Sequence, residues 1–448
     1  MTMGTADNAL AATTENAVSM DAEPIYRKIK YRLLPFIFFI YILNQLDRIN
    51  VSFAKLQFMQ DLQLSDAAYG LGAGLFFIGY LLFEVPSNIY LHKRGAKATF
   101  LRIMFFWGLV SAGMSLVRTP AELYLARFFL GVAEAGFFPG IILYLTYWFP
   151  APRRARVTSL FVMAISAAGI VGGPLSGWIM HSLAGTYGLA GWQWLFIIEG
   201  LPSVLLSIVA YFFLDNGPAQ AKWLTEHERN VVIQELACEQ ALKPGSEHGG
   251  PWRALCNSKA YIGGAVYFSI LCGTNAIALW MPSLVKAQGI SDLREIGWLS
   301  SVPYLAAAMG MYLLGRHSDR VMERRWHTAV AIALTAGCFL ALGAVEHHAY
   351  ATVALLSVAA IGIYGAVVVF WTIPPAYLGG AQAAGGIAMI SSLGGLGGFA
   401  SPTILGWVKS QTGSLYFGFS VLGCILLCGA LVLVIGIPAR LLRAEVRA

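Results

Sequence analysis

The sequence predicts an all-α membrane protein of twelve transmembrane helices in two pseudo-symmetric six-helix bundles, and three observations lead there. Charge is scarce: of 448 residues, 12% are charged and 57% hydrophobic, about half the charge of an average soluble domain. The hydrophobic residues fall in runs long enough to cross about 30 Å of hydrocarbon as helix. The basic residues gather on alternate connections between those runs.

Residues 1–24 are polar and rich in Ala and Thr, with no apolar core. They read as a disordered tail rather than a cleavable leader. Six apolar runs follow, at 33–53, 67–91, 98–117, 123–149, 157–183 and 192–214. A polar interruption at 215–258 is the longest in the chain. Six more runs lie at 261–285, 296–315, 328–345, 351–373, 387–408 and 415–437. This divides the chain into a tail (1–24), a first bundle (25–214), an interdomain loop (215–258), a second bundle (259–438) and a short tail (439–448).

Basic residues set the orientation. One side holds Arg27, Lys28, Lys30, Arg32, Lys93, Arg94, Lys97 and Arg102 in the first part of the chain, then Arg153, Arg154 and Arg156. Lys222, Arg229, Lys243, Arg253 and Lys259 join them, as do Arg316, Arg320, Arg324, Arg325, Arg440, Arg443 and Arg447. The other side has Lys55, Arg118, Lys286, Arg294 and Lys409. An asymmetry of 23 to 5 predicts that both termini and the long loop are cytoplasmic, in a multi-pass protein of the cell inner membrane. The net charge of +7 is thereby explained by topology, and no nucleic-acid partner is expected. The six cysteines are scattered, without the spacing or partners of a metal site or a disulfide framework. No nucleophile–base pair or metal cluster points to an enzyme.

The halves echo one another. The fifth run contains Gly172-Gly173-Pro174-Leu175-Ser176-Gly177-Trp178, and the eleventh contains Ala400-Ser401-Pro402-Thr403-Ile404-Leu405-Gly406-Trp407. Small residues allow close helix approach, and proline loosens the helix where bending is needed. A weaker echo links Gly315-Arg316-His317-Ser318-Asp319-Arg320 with the segment from Asn88 to Gly95.

A charge at bilayer depth costs roughly 2.5–3.5 kcal/mol or more, so each one asks for a reason. Asp47 and Arg48 in the first span, Glu84 in the second, Arg127 and Glu134 in the fourth and Glu199 in the sixth all fall in the first half. No histidine lies deep in a span, so a proton relay would use carboxylates. Arg127 and Glu134 are two helical turns apart and share a face. Gly131, Ala133, Ala135 and Gly136 leave room there for a close neighbour or a water-lined cavity. The bland alternative is that these four charges compensate one another as ion pairs, at a cost apolar residues would avoid. Glu84, before Val85-Pro86, and Glu199, before Gly200-Leu201-Pro202, read more as structural groups beside weakened helix.

Together the motifs resemble the major facilitator superfamily, and most of all its anion:cation symporter group of tartrate, phthalate, hydroxyphenylacetate, sugar-acid and allantoate permeases. Leu46-Asp47-Arg48-Ile49-Asn50, Phe83-Glu84-Val85-Pro86-Ser87-Asn88 and the stretch from Arg127 to Gly140 carry the resemblance. So do the stretch from Trp192 to Gly200, Trp280-Met281-Pro282 and Phe370-Trp371-Thr372-Ile373-Pro374. It extends over nearly the whole chain and implies import of a small organic anion with protons, by alternating access, with no cofactor beyond the coupling proton. By resemblance, Asp47 and Glu134 take part in proton coupling. Arg48 and Arg127 hold the substrate carboxylate or pair with those acids. Tyr80, Tyr267 and Trp371 fall where cavity-lining residues would be, and Asn44 and Gln45 join them as substrate-binding candidates. The chain departs from the group in the eleventh span, where Ser391 and Gly395 stand in place of two asparagines. That weakens a hydroxyl-rich sugar acid as substrate and opens room for an aromatic acid.

Asp319 and Arg320 are gating candidates, because Asp319 can pair with basic residues of a cytoplasmic turn in one conformation and release them in another. The alternative is a solvated loop charge. The expected partners are a small organic anion, protons and the lipid bilayer, with the chain acting as a monomer. A proton-coupled drug or metabolite antiporter is the competing reading, although Arg48 and Arg127 speak against it. A sensor on the same scaffold would be expected to carry a signalling domain.

Overall fold

The computed structural model describes residues 4–242, 258–378 and 381–438, with side chains described from Ala22 onward except at 152, 155, 240–242, 376–377 and 381–384. Among the described residues twelve helices are long and apolar enough to cross a membrane. In the first half they are α1 (Ala22–Asp61), α2 (Asp66–Arg94), α3 (Ala96–Leu116), α4 (Pro120–Thr146), α5 (Arg156–Ser182) and α6 (Gly191–Phe213). In the second half they are α7 (Ser258–Ala287), α8 (Leu293–Val321), α9 (Arg325–Val345), α10 (Ala349–Phe370), α11 (Gly385–Thr412) and α12 (Leu415–Gly436). There is no strand among the described residues. Phe106, Leu205, Phe212, Leu313 and Ile435 are exposed on the outer faces, as a lipid-facing surface requires.

Local chemistry starts several of these helices. Ser65, Thr119 and Ser414 each accept a hydrogen bond from a backbone N–H in the first turn of α2, α4 and α12. Pro120 occupies the first turn of α4, where its missing N–H costs nothing.

The two halves repeat one packing scheme. In the first, α3 lies on α6, α2 on α4 and α1 on α5; in the second, α9 lies on α12, α8 on α10 and α7 on α11. Across the seam, α2 packs on α11 and α5 on α8, contacts that exchange when the halves are interchanged. The echoed Gly-Pro motifs lie on these seam helices. A Cβ on Gly173 would stand 2.3 Å from the Gly297 carbonyl oxygen, and one on Gly406 would stand 2.3 Å from that of Asp66. Glycine is required for the two backbones to come so close.

Two stretches differ from the sequence expectation. The first helix extends from Gly4 to Asp61, reaching back into the stretch read as a tail; its alanines are strong helix formers, and polarity alone does not oppose a helix. Within the polar interruption, Glu226–Leu242 forms a helix. Lys28 pairs with Glu228 at 2.7 Å, and Glu239 accepts from the backbone N–H of Ala151 at 2.9 Å. This helix is thus anchored to the first half, at the end rich in basic loops.

Candidate functional site

A cavity of about 1830 Å³ runs between the halves. His92, Lys93, Arg316, Asp319 and Arg320 line its mouth, and Arg48, Arg127, Tyr80, Tyr267 and Trp371 line its interior. It opens at the basic end. The opposite end is closed, so the protein is captured open to one side only.

The arginines meet at one aromatic ring. The guanidinium carbons of Arg48 and Arg127 lie 5.2 Å and 5.0 Å from the centre of Phe76, and Arg48 is also 5.0 Å from Tyr80. Close packing of α2 on α4 produces this convergence. A Cβ on Gly131 would stand 2.0 Å from the Phe76 carbonyl oxygen, and one on Gly79 would stand 2.3 Å from that of Phe128. Nη2 of Arg48 and Nε and Nη1 of Arg127 have no hydrogen-bond partner among the described residues. Buried N–H groups of that kind are donors for an arriving acceptor.

Glu134 holds the arginine of α1. Nε of Arg48 donates to Glu134 Oε2 at 2.8 Å, and Nδ2 of Asn44 donates to the same oxygen at 2.9 Å. Glu134 is fully buried and ends the first helical segment of α4. The helix then breaks at Ala135-Gly136, where Gly136 takes a φ of 85° and a Cβ would stand 2.5 Å from Ser87 Oγ. Only glycine fits both the left-handed backbone and the contact. Discontinuous helices at mid-membrane are a recurrent feature of transporter sites.

Asp47 faces the other way. Neighbours on a helix point about 100° apart, and with Arg48 on the cavity Asp47 turns into the first bundle. Ser111 of α3 donates to Asp47 Oδ1 at 2.5 Å, and Asn50 donates at 3.3 Å. Glu199 takes a bond from Ser176 of α5 at 3.0 Å. Both acids are buried without an ion pair among the described residues. The idea that the four charges compensate one another therefore reduces to one described pair, Arg48 with Glu134. Arg127 and Glu134 share a face without bonding each other.

Other candidates divide similarly. Gln45 lines the cavity, whereas Asn44 lies behind it on Glu134. Tyr267 stacks on Phe370 with centres 5.4 Å apart and meets Trp371 edge-on at 4.8 Å. Gly394 makes room for Tyr267, since a Cβ there would overlap its ring. Ser391 and Gly395 both face the cavity. Asp319 pairs with Arg324 at 2.5 Å across the turn after α8, while Arg320 stands at the mouth.

The sequence reading leaned to a structural role for Glu84; in the structure Glu84 lines the cavity. The signal was present, since Phe76, Tyr80 and Glu84 recur every four residues on one face of α2. The closing contacts were also missed. At the closed end Asp66 of α2 pairs with Lys55 of α1 at 2.9 Å and with Lys409 of α11 at 3.1 Å. Lys55 is buried and stands 3.3 Å from the centre of the Trp280 ring of α7. Lys286 donates to the Leu56 carbonyl at 2.8 Å, and Tyr69 to the Leu279 carbonyl at 2.8 Å.

The sequence matches the family described as Major Facilitator Superfamily over residues 37–402. NicT of Pseudomonas putida, named for metabolite transport, is 42% identical, covering 96% of this chain and 98% of the relative. An Agrobacterium vitis protein named for tartrate transport is 43% identical, covering 94% of this chain and 93% of its own. A quinolone resistance transporter of Acinetobacter baumannii is 38% identical, over 92% and 94%. Among solved structures, the xylose transporter XylE from E. coli in its inward-open conformation superposes with a TM-score of 0.71 at 15% identity, over 91% and 96%.

Proposed function

The chain belongs to the Major Facilitator Superfamily, a multi-pass membrane transporter family, and on that premise we propose that it imports a small organic carboxylate by proton symport, without acting as an enzyme. One observation carries this reading: two arginines converge on Phe76 inside the cavity with N–H groups that have no partner among the described residues. Guanidinium forks match carboxylates in shape and charge. Aromatic walls suit a substrate with an apolar body. The relatives named for metabolite and tartrate transport agree with a small-molecule cargo.

Coupling follows from competition. A substrate carboxylate that bonds Arg48 displaces Glu134, which would be left as an unpaired anion in a dry site. Taking up a proton removes that penalty, so substrate and proton bind in mutual support. The neutral, loaded site can cross the occluded state, whereas a half-loaded one crosses at high cost. Asp47 and Glu134 are the proposed coupling acids, and Arg48, Arg127, Gln45, Tyr80, Tyr267 and Trp371 contact the substrate. Asn44 positions Glu134. Asp319 and Arg320 act as gating residues at the cytoplasmic mouth, with both termini on that side of the inner membrane. The transporter works as a monomer.

The test is uptake of radiolabelled tartrate, sugar acids and aromatic acids into proteoliposomes. Accumulation should follow an imposed proton gradient, collapse with a protonophore and persist without sodium; strict sodium dependence would refute the proposal. Arg48→Lys should weaken binding about tenfold, because the charge stays but the fork is lost. The quinolone resistance relative favours a second reading, proton-coupled export. Lower quinolone accumulation in cells making this protein, with no acid uptake, would select it.

A further inference from the structure

Among the described residues two carboxylates line the cavity, Asp319 at its mouth and Glu84 in its interior. Asp319 is paired with Arg324. Glu84 has no ion-pair partner among the described residues and is half-buried. It shares a face of α2 with Tyr80 and Phe76, the two rings that the arginines cover. One turn, about 6 Å, separates Glu84 from Tyr80 along the helix axis, and two turns, about 12 Å, separate it from Phe76. A free carboxylate therefore lies one to two turns from the anion-binding arginines, towards the mouth.

We propose that Glu84 is the specificity-determining residue at the far end of the substrate: it bonds an N–H or O–H donor there and disfavours a second carboxylate. The inference rests on the organic-carboxylate reading above. A substrate anchored by its carboxylate at Arg48 and Arg127 extends past Tyr80 and brings its other end to Glu84. A hydroxyl or protonated nitrogen at that end gains a charge-assisted hydrogen bond. A second carboxylate meets a like charge in a partly dry cavity. The preferred cargo is a monocarboxylate with a donor on the opposite end, which is a narrower class than organic anions in general. Rejection of the alternative is built in by repulsion, which discriminates more sharply than a missing contact.

The experiment measures binding to the purified protein of two matched sets: benzoate, 4-hydroxybenzoate and terephthalate, and butyrate, 4-hydroxybutyrate and succinate. In the wild type the hydroxy acid should bind most tightly and the dicarboxylate at least about tenfold more weakly. Glu84→Gln should bring the dicarboxylate to within about twofold of the hydroxy acid, while Glu84→Asp keeps the wild-type order. Monomethyl terephthalate should recover the affinity terephthalate lacks, a readout that needs no variant. If the acids bind through Arg48 and Arg127 but the order is the same in Glu84→Gln, the role of Glu84 is wrong and the carboxylate reading stands. If no acid binds, or binding ignores both arginines, the two readings fall together. An unchanged order with lost proton-driven accumulation would make Glu84 a coupling acid and overturn its selective role.

Discussion

At the scale of single residues, the site is governed by which buried charge has a partner. Glu134 shares one oxygen between Arg48 and Asn44. Removing Arg48 alone would leave an uncompensated acid, a loss of about 3–5 kcal/mol if it stayed ionised. Glu134→Gln keeps the size and a hydrogen-bonding group, so it should fold normally yet fail to accumulate substrate on a proton gradient. Counterflow exchange should persist, because exchange needs no net proton release. Asp47→Asn should behave likewise, since amide and protonated acid are similar in shape. Accumulation, counterflow and detergent melting of both variants decide the point: normal accumulation by both removes them from coupling, and a lowered melting point alone makes Asp47 a structural acid of the Ser111–Asn50 network. The sequence showed six charges within the spans and the shared face of Arg127 and Glu134, but not that Lys55 is buried at the closed end. It could not show direction. Helical spacing says which residues point together but not what lies opposite, so it left open that Glu84 lines the cavity and that Asp47 turns towards Ser111 rather than the arginines.

The helices owe their positions to glycine. Gly79 and Gly131 bring α2 and α4 into backbone contact, which sets Phe76 and Tyr80 beneath the arginines. A methyl group at Gly131 meets a carbonyl oxygen that cannot move without shifting α2. Gly131→Ala should therefore lower the melting temperature, with overpacking of about 1–3 kcal/mol, and weaken anion binding as well. Gly337 of α9 has nothing within 4 Å of a would-be Cβ; Gly337→Ala should be neutral or stabilising by up to about 1 kcal/mol. Equal melting temperatures for these two variants would refute the packing argument. Spans of this kind were legible because a hydrophobic run need only match the bilayer thickness. The break in α4 was not: Gly136 is one of 48 glycines, and only its positive φ and the nearby Ser87 distinguish it. The helix Glu226–Leu242 was missed because its composition is that of a polar loop, and contacts with Lys28 and Ala151 hold it in place.

For the whole molecule, the asymmetry of the cavity defines one state of an alternating cycle. Glycine-mediated contacts of α2 with α11 and of α5 with α8 lie at the closed end, together with the Lys55–Asp66–Lys409 ion cluster. Transport requires those contacts to part while the basic end closes, a rocking of the halves about the site between them. The seam offers a direct test. The backbone N–H of Ala67 in α2 donates to Ser410 Oγ in α11 at 2.9 Å, joining the two halves at this end. Cysteines placed by Ala67→Cys and Ser410→Cys in a cysteine-free background should crosslink on oxidation. The crosslinked protein is held open to the basic end, so it should lose transport and counterflow, while Kd for a bound acid measured in detergent stays within about twofold because the site remains accessible from that side. Reduction with dithiothreitol should restore transport. Full transport by the crosslinked protein would mean that this end need not open, and the rocking mechanism would then be wrong for this chain. If the crosslink abolished binding too, the arginine site would have to fill from the end that the crosslink seals.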